Sequence, residues 1–305
     1  MGFVVSSLTD YIDQSSKELL GRSFFENRSA EYFGGLQTGI KTVAALQLLA
    51  VSATAQADAC GFTASGSTTF SQRELTVGAL KYQDTLCMKD LKAKRTQTLL
   101  KQGSNAENES VSFESEIADL LISLVKEEIE AADWQGNGIY TGLIATIDAA
   151  GTAVSGNTGS VTVATDFTAT NAIAIINAMC DAAPAKIKTK SDKVLFIGTD
   201  WFDIYVNALM NANLFNFDAT AWADYTLVIP GKNVKLVGVH GLDAEDRMFL
   251  GRMPNFVVGT DMENEEEQFK LWYDENADLI RYSIKFKRGL QVAYPNELVQ
   301  FTLVP

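Results

Sequence analysis

His240 is the one histidine among 305 residues, and it bounds the chemistry this chain can do. A Ser/His/Asp or Cys/His arrangement needs an imidazole to take the nucleophile's proton, so any such constellation would have to use that ring. It stands between Gly238 and Gly241, the setting of a strand-end or interface histidine rather than a general base. Cys60, Cys87 and Cys180 are too widely spaced for a zinc cluster. An odd number without a dense framework fits a reducing compartment, although Cys60 and Cys87 could still meet across a hairpin. Gly61 and Gly66 have the spacing of a phosphate loop but lack the Lys-Ser/Thr that must follow it. Glu263, Glu265, Glu266 and Glu267 could collect divalent cations, yet the spaced Asp/Asn/Gly pattern of a calcium loop is missing. Trp201, Trp222 and Trp272 are expected to anchor a core or an interface rather than to line a ligand box. The expectation is a non-enzymatic chain without cofactor or metal.

Composition points the same way. With 47% hydrophobic and 21% charged residues the chain can bury one large core or two modest ones. Its 25 bases against 38 acids leave −13, which repels phosphate and argues against a sequence-reading nucleic-acid binder. The most apolar stretch, Val43 to Val51, has nine residues where a bilayer span needs about 20, so no membrane crossing is expected. Some forty residues precede it, which also argues against a leader peptide, and a buried helix is expected there.

The elements follow from periodicity. Residues 1–60 suggest an arm with short helices, and Gly61 to Gly66 a turn region. Phe70 to Leu86 follows as an extended hairpin segment with Leu75, Val77 and Ala79 on one face. Apolar residues Phe113, Ile117, Leu120, Leu121, Leu124 and Ile129 predict one long amphipathic helix from Phe113 to Asp133, ended by Trp134 and Gly136-Asn137-Gly138. The Gly/Ser/Thr/Ala segment from Gly151 to Thr165 marks a subdomain boundary. Beyond it, Asp166 is expected to cap a helix carrying Phe167, Ile173, Ile176 and Met179. Asp200 with Asp203 is expected to form a capping box for a second helix bearing Trp201, Tyr205 and Leu209. Strands are expected at Val194 to Ile197, Val234 to Val239, Met248 to Leu250 and Phe256 to Val258, which makes this region a compact α+β unit. Ile280, Tyr282, Ile284 and Phe286 alternate with Arg281, Ser283, Lys285 and Lys287, and the parity resumes at Leu290, Val292 and Tyr294. That is one long strand with an apolar face, partnered by Phe269 to Tyr273 across a turn.

Charge is blocked along the chain. Eight acids against Lys270 give −7 between Asp261 and Asp278. Lys81 to Lys101, with Lys89, Lys92, Lys94 and Arg95, carries +4, and Arg281, Lys285, Lys287 and Arg288 carry another +4. Opposite blocks on an elongated subunit invite pairing between copies. The inter-subunit candidates are thus Lys81, Lys92, Lys94, Arg95, Arg281, Lys285 and Arg288 against the four glutamates, together with Arg73 and the apolar Phe70.

The order of parts resembles the major capsid protein of tailed bacteriophages, the Hong Kong 97-type fold. The resemblance rests on Leu75 to Leu91 followed by Lys92 to Leu100, on the acidic helix closing at Trp134-Gln135-Gly136, and on the ending. The ending comprises Phe256 to Asp261, Ile280 to Lys287, and Gly289-Leu290-Gln291-Val292-Ala293-Tyr294-Pro295. These are degenerate apolar patterns rather than an invariant signature. The resemblance implies an N-terminal arm (1–60), an extended loop (61–97), a peripheral domain with its spine helix (98–147 and 256–299), an axial domain (148–255) and a tail (300–305). It also implies pentamers and hexamers that tile an icosahedral virion shell around packaged double-stranded DNA, built in the host cytoplasm. Portal, scaffolding and head-decoration or auxiliary proteins would be the other partners, with scaffolding supplied separately or absent. Some members of that family join a loop lysine to an asparagine, for which only Lys81 and Asn296 come into question. Two other readings stay open: an encapsulin-like nanocompartment shell, and a soluble two-subdomain enzyme or ligand-binding protein.

Overall fold

The computed structural model describes residues 28–58, 60–61, 63–87, 124–212, 225–243, 245–261, 270–274, 277 and 279–304. In chain order its first elements are α1 (Arg28–Tyr32), β1 (Gly35–Gln37), β2 (Val43–Ala53), β3 (Gly66–Thr76), β4 (Gly78–Cys87) and a helix α2 (124–135). Then come α3 (Leu143–Ala150), β5 (Val154–Ser155), α4 (Ala172–Ala182), α5 (Ala185–Lys188), β6 (Lys193–Ile197) and α6 (Thr199–Asn211). The last are β7 (Thr226–Val228), β8 (Lys235–Gly238), β9 (Arg247–Arg252), β10 (Phe256–Gly259), β11 (Lys270–Asp274), β12 (Leu279–Val292) and β13 (Val299–Thr302).

β6 shows why the sequence reads as a continuous apolar run: all five of its residues are buried, because both faces of its sheet are covered. The sheet has the order β5-β13-β9-β6-β8-β7 and is mixed, with β6 parallel to β8 and antiparallel to β9. Leu195 and Ile197 face one cluster with Ile175, Ile176 and Met179 of α4 and Tyr205 and Leu209 of α6. Val194 and Phe196 face the other, with Ile129 and Trp134 of α2, Leu143 and Ile147 of α3, and Ile284, Phe286 and Leu290 of β12. The expected α+β class is what the chain adopts. β13 belongs to this sheet, so the segment expected as a tail from residue 300 begins inside a strand.

β12 is the long strand the alternation predicts. It pairs antiparallel with β4 over Leu279–Arg288 and with β11 over Leu279–Asp274 to Ser283–Lys270, then changes partner to β10 from Gly289 to Val292. Both β4 and β11 pair with the same β12 residues and therefore flank it on opposite edges. α2 crosses the even-numbered face of β12 and stops where expected. Gly136 adopts a φ of 83°, a left-handed conformation suited to glycine, and its N–H donates to the Ala132 carbonyl at 2.8 Å. The first part of the expected spine helix, from Phe113, lies outside the described residues.

Four local expectations are corrected. Val43 to Val51 is a strand, not a buried helix, because its hydrogen bonds go to β3 along eleven cross-strand pairs from Val43–Thr76 to Ala53–Gly66. The parity of Leu75 and Val77 does not run on to Ala79: the chain changes partner from β2 to β12 at Gly78, so Leu80 is buried and Ala79 is exposed. Asp166 does not cap α4, which begins at Ala172; Asn171 instead ties the preceding turn, accepting from the Thr168 N–H at 2.8 Å and donating to the Asp166 carbonyl at 2.7 Å. No Asp200–Asp203 box starts α6. The Asp243 carboxylate arrives from the other side of the sheet and takes the Thr199 N–H at 2.5 Å and its hydroxyl at 2.8 Å.

Candidate functional site

The β2–β3 ribbon leaves the body and has no third strand among the described residues. Eleven paired residues at about 3.3 Å each give it a reach of roughly 35 Å. Two strands alone are marginal in water, so the ribbon needs an anchor. Its root supplies one: Leu46 and Leu75 pack with Ile40, Val77, Val257 and Ala293. Polar ties reinforce it, with Arg73 donating to Gln291 Oε1 at 3.2 Å and Gln291 Nε2 donating to the Glu74 carbonyl at 2.6 Å. Gly289 of β12 lies under this root, where a Cβ would stand 2.1 Å from the Thr76 carbonyl oxygen. Only a glycine lets the two backbones approach that closely.

Above the root the Tyr294 hydroxyl still donates to the Leu49 carbonyl at 3.3 Å, and from there outward the described ribbon residues are exposed. On the face shared by Val43, Ala45, Gln47, Leu49 and Val51, Leu49 stands directly opposite Phe70. Their exposures are 52% and 76%, with Val51 at 66%. Polar cross-strand pairs flank the cluster, with Gln72 Nε2 donating to Gln47 Oε1 at 3.2 Å and a Ser52–Ser67 hydroxyl pair at 2.9 Å. Among the described residues the ribbon pairs with no further strand and its apolar cluster is open to solvent, features that favour association over a core role.

The expected contact residues fall into three groups. Phe70, Lys81 and Lys285 are exposed, and Lys81 stands opposite Lys285 across β4 and β12. Arg73 and Arg281 are already engaged within the chain, Arg73 with Gln291 and Arg281 with Asp274 at 2.8 Å. Arg288 is corrected outright: it is 1% exposed and makes a bidentate pair with Asp133, Nε to Oδ1 at 2.7 Å and Nη2 to Oδ2 at 2.6 Å. The Tyr140 hydroxyl donates to the same carboxylate at 3.0 Å. Burial alone would lower the Arg288 pKa, but Asp133 and Tyr140 more than reverse that and it stays charged. It locks α2 to β12 at the residue where β12 changes partner, and no neighbour can touch it. Lys92, Lys94, Arg95, Glu263, Glu265, Glu266, Glu267 and Trp222 lie outside the described residues.

Chemistry of other kinds finds little support. His240 Nδ1 lies 2.7 Å from Asp243 Oδ2, and Nε2 lies 3.6 Å from Glu127 Oε1. The nearby Thr199 hydroxyl gives its hydrogen bond to Asp243 rather than to the imidazole, so no activated nucleophile is formed. Among the described residues no group of three or more His, Cys, Asp or Glu could hold a metal, and no helix is long and apolar enough to cross a membrane. Cys60 is an exposed free thiol, whereas Cys180 is buried and its thiol pKa is pushed up to about 11, chiefly by burial. Trp201 stacks on Phe167 at 4.8 Å, and Trp272 is 42% exposed. Trp134, expected only to end a helix, is fully buried against Phe196 and Phe249 at 5.0 and 5.5 Å. Sequence reasoning missed Leu49 and Val51, which the buried-helix expectation concealed, and Asp133 and Tyr140, which carry no spacing signal at all.

No family model matches the sequence, and no curated protein matches it. Solved structures do. The capsid of the native GTA particle superposes with a TM-score of 0.61 at 10% identity, over 92% of this chain and 91% of that one. The satellite phage P4 procapsid gives 0.59 at 10% identity, over 95% and 91%. The chain has the Hong Kong 97-type capsid fold. A virus-like particle from Pyrococcus furiosus also matches, with a TM-score of 0.53 at 10% identity over 93% of this chain and 96% of that one.

Proposed function

We propose that this chain is the repeating subunit of a closed shell, a major capsid protein that assembles as pentamers and hexamers into an icosahedral head around double-stranded DNA. The observation that carries it is the ribbon. A 35 Å arm, roughly, that is anchored at one end and shows Leu49, Val51 and Phe70 to solvent is costly for a monomer and useful where a neighbour covers it. The capsid fold supports the same reading. In this assignment the ribbon is the extended loop, and its start moves from residue 61 back to Val43. α2, β4, β10, β11 and β12 form the peripheral domain, and the six-stranded sheet with α4 and α6 forms the axial domain. A lysine–asparagine bond of Lys81 with Asn296 would have to join two copies, since seven strand residues separate Lys285, opposite Lys81, from the end of β12 before Asn296.

Negative-stain microscopy and light scattering on the purified chain, at low and high salt, test the proposal. Uniform shells, or capsomers that convert to them, are the expected outcome. A strict monomer under every condition, with and without a scaffolding partner, would overturn it. The match to a virus-like particle supports a second reading, a shell that encloses protein cargo. Nuclease-protected DNA inside the particles distinguishes the head from the compartment.

A further inference from the structure

α1 is five residues long, too short to hold itself as a helix, so its conformation depends on what it docks against. It lies between two partners. On α2, the half-buried Glu130 takes both donors of the fully buried Ser29 on one oxygen, Oε1, and the Trp134 indole N–H donates to the Ser29 hydroxyl at 2.9 Å. Toward the β7–β8 edge of the six-stranded sheet the contacts are looser. The Tyr32 hydroxyl meets Thr226 Oγ1 at 3.4 Å, Lys235 Nζ stands 6.0 Å from the Tyr32 ring, and the Arg28 guanidinium lies 5.2 Å from the Tyr225 ring. The chain is fixed immediately afterwards: Phe33 is buried among Trp134, Phe196 and Phe256, and the Gly34 N–H donates to the Met253 carbonyl at 2.8 Å. α1 can therefore leave its place without disturbing the strands that follow.

Docking and the state of Glu130 are coupled from both sides. A buried Ser29 N–H and hydroxyl need that acceptor, and the carboxylate loses part of its hydration to the helix it holds. Both bonds go to Oε1, so a proton on Oε2 leaves them intact and removes the charge. We propose that α1 is a proton-operated latch between α2 and the β7–β8 edge, closed while Glu130 is neutral and loosened when it ionises. Burial pushes the Glu130 carboxyl pKa up; the Ser29 bonds pull it back in part, Asp133 adds to the rise and Arg28 opposes it. Of the other charged groups nearby, Glu31 is exposed, and His240 on the turn after β8 faces Asp243 and Glu127. With α1 displaced, water solvates the carboxylate and its pKa falls toward the ordinary value of about 4.3. Docking thus takes up a proton. The latch is closed below that ordinary value, and opening grows with pH, by at most about tenfold per pH unit, until the docked value is passed.

Amide hydrogen exchange on the full chain, followed from about pH 4.5 to about pH 8 and corrected for the intrinsic pH dependence of exchange, tests the latch. Peptides covering residues 28–33, which include the Ser29 N–H that Glu130 holds, should exchange ahead of those from β6 at every pH, because the latch opens with the sheet intact. Their protection should fall severalfold as pH rises. E130Q should keep it high and level across the range. Protection of 28–33 that does not change with pH would overturn the proposal, and that result needs no variant. A fall that E130Q shares would place the proton on another group, such as His240, and overturn it as well. So would equal protection of 28–33 and β6, which would mean that α1 parts from the body only when the whole chain unfolds. The measurement asks nothing of assembly, so the latch and the shell reading stand or fall independently.

Discussion

A buried and a half-buried carboxylate near the end of α2 are held differently, and each makes a prediction. Asp133 is matched by Arg288 and Tyr140, so removing one partner leaves an uncompensated charge in the core. Arg288→Met should cost about 3–5 kcal/mol in urea unfolding, and the double change Asp133→Leu/Arg288→Met should recover much of it. A double variant as unstable as the single one would mean that packing rather than charge holds the site. Glu130 accepts from the Ser29 N–H and hydroxyl, at 3.3 and 3.0 Å. Burial pushes its carboxyl pKa up, and those hydrogen bonds only partly offset the rise. A carboxyl whose pKa is higher folded than unfolded favours the fold when protonated, so its ionised form costs stability at neutral pH and the cost is relieved as pH falls through the raised pKa. Glu130→Gln keeps an acceptor for Ser29 without the charge. Its urea midpoint should exceed that of the parent at about pH 7 and converge with it near about pH 4. Equal midpoints at neutral pH would show that burial imposes no such penalty.

At the scale of elements, what the sequence disclosed depends on how local each cause is. β12, β6 and the stop at Gly136 were legible because alternation, a short apolar run and a glycine with its donor are all contained within a few residues. Val43 to Val51 was not, since VAALQLLAV is apolar on both parities and the partner that makes it a strand lies beyond a turn, at Gly66–Thr76. The cap on α6 was equally hidden: Asp243 sits 44 residues from Thr199. The candidate surface divides the same way. Phe70, Lys81 and Lys285 could be named from type and block charge, but only the register puts Leu49 opposite Phe70 and Lys81 opposite Lys285. Arg288 looked like its basic neighbours until its parity carried it to Asp133. The ribbon's attachment gives an element-scale prediction. Gly289→Ala drives a Cβ to 2.1 Å from the Thr76 carbonyl, a backbone atom that cannot rotate away. The variant should lose about 1–3 kcal/mol and expose the ribbon root to limited proteolysis. Unchanged cleavage and stability would show that the ribbon is held elsewhere.

For the whole molecule, the question is why an isolated subunit should keep an apolar cluster in water. Leu49, Val51 and Phe70 contribute almost nothing to the monomer, because they are more than half exposed and pack on no core cluster. Fully covered by a neighbour, each would contribute on the order of 1.5–3 kcal/mol, small for one contact and decisive when every subunit both gives and receives it. Stability and assembly should therefore separate cleanly at these positions. Phe70→Asp with Leu49→Asp is expected to leave the melting curve of the subunit within about 0.5 kcal/mol of the parent, while light scattering shows no particles at any salt concentration. Such an apolar contact should hold at high ionic strength, where lysine–carboxylate pairing is screened. Normal particles from the double aspartate variant would show that the ribbon is not where copies meet. A subunit that unfolds would show instead that the cluster belongs to the monomer, and the case for an arm laid over a neighbour would fail with it.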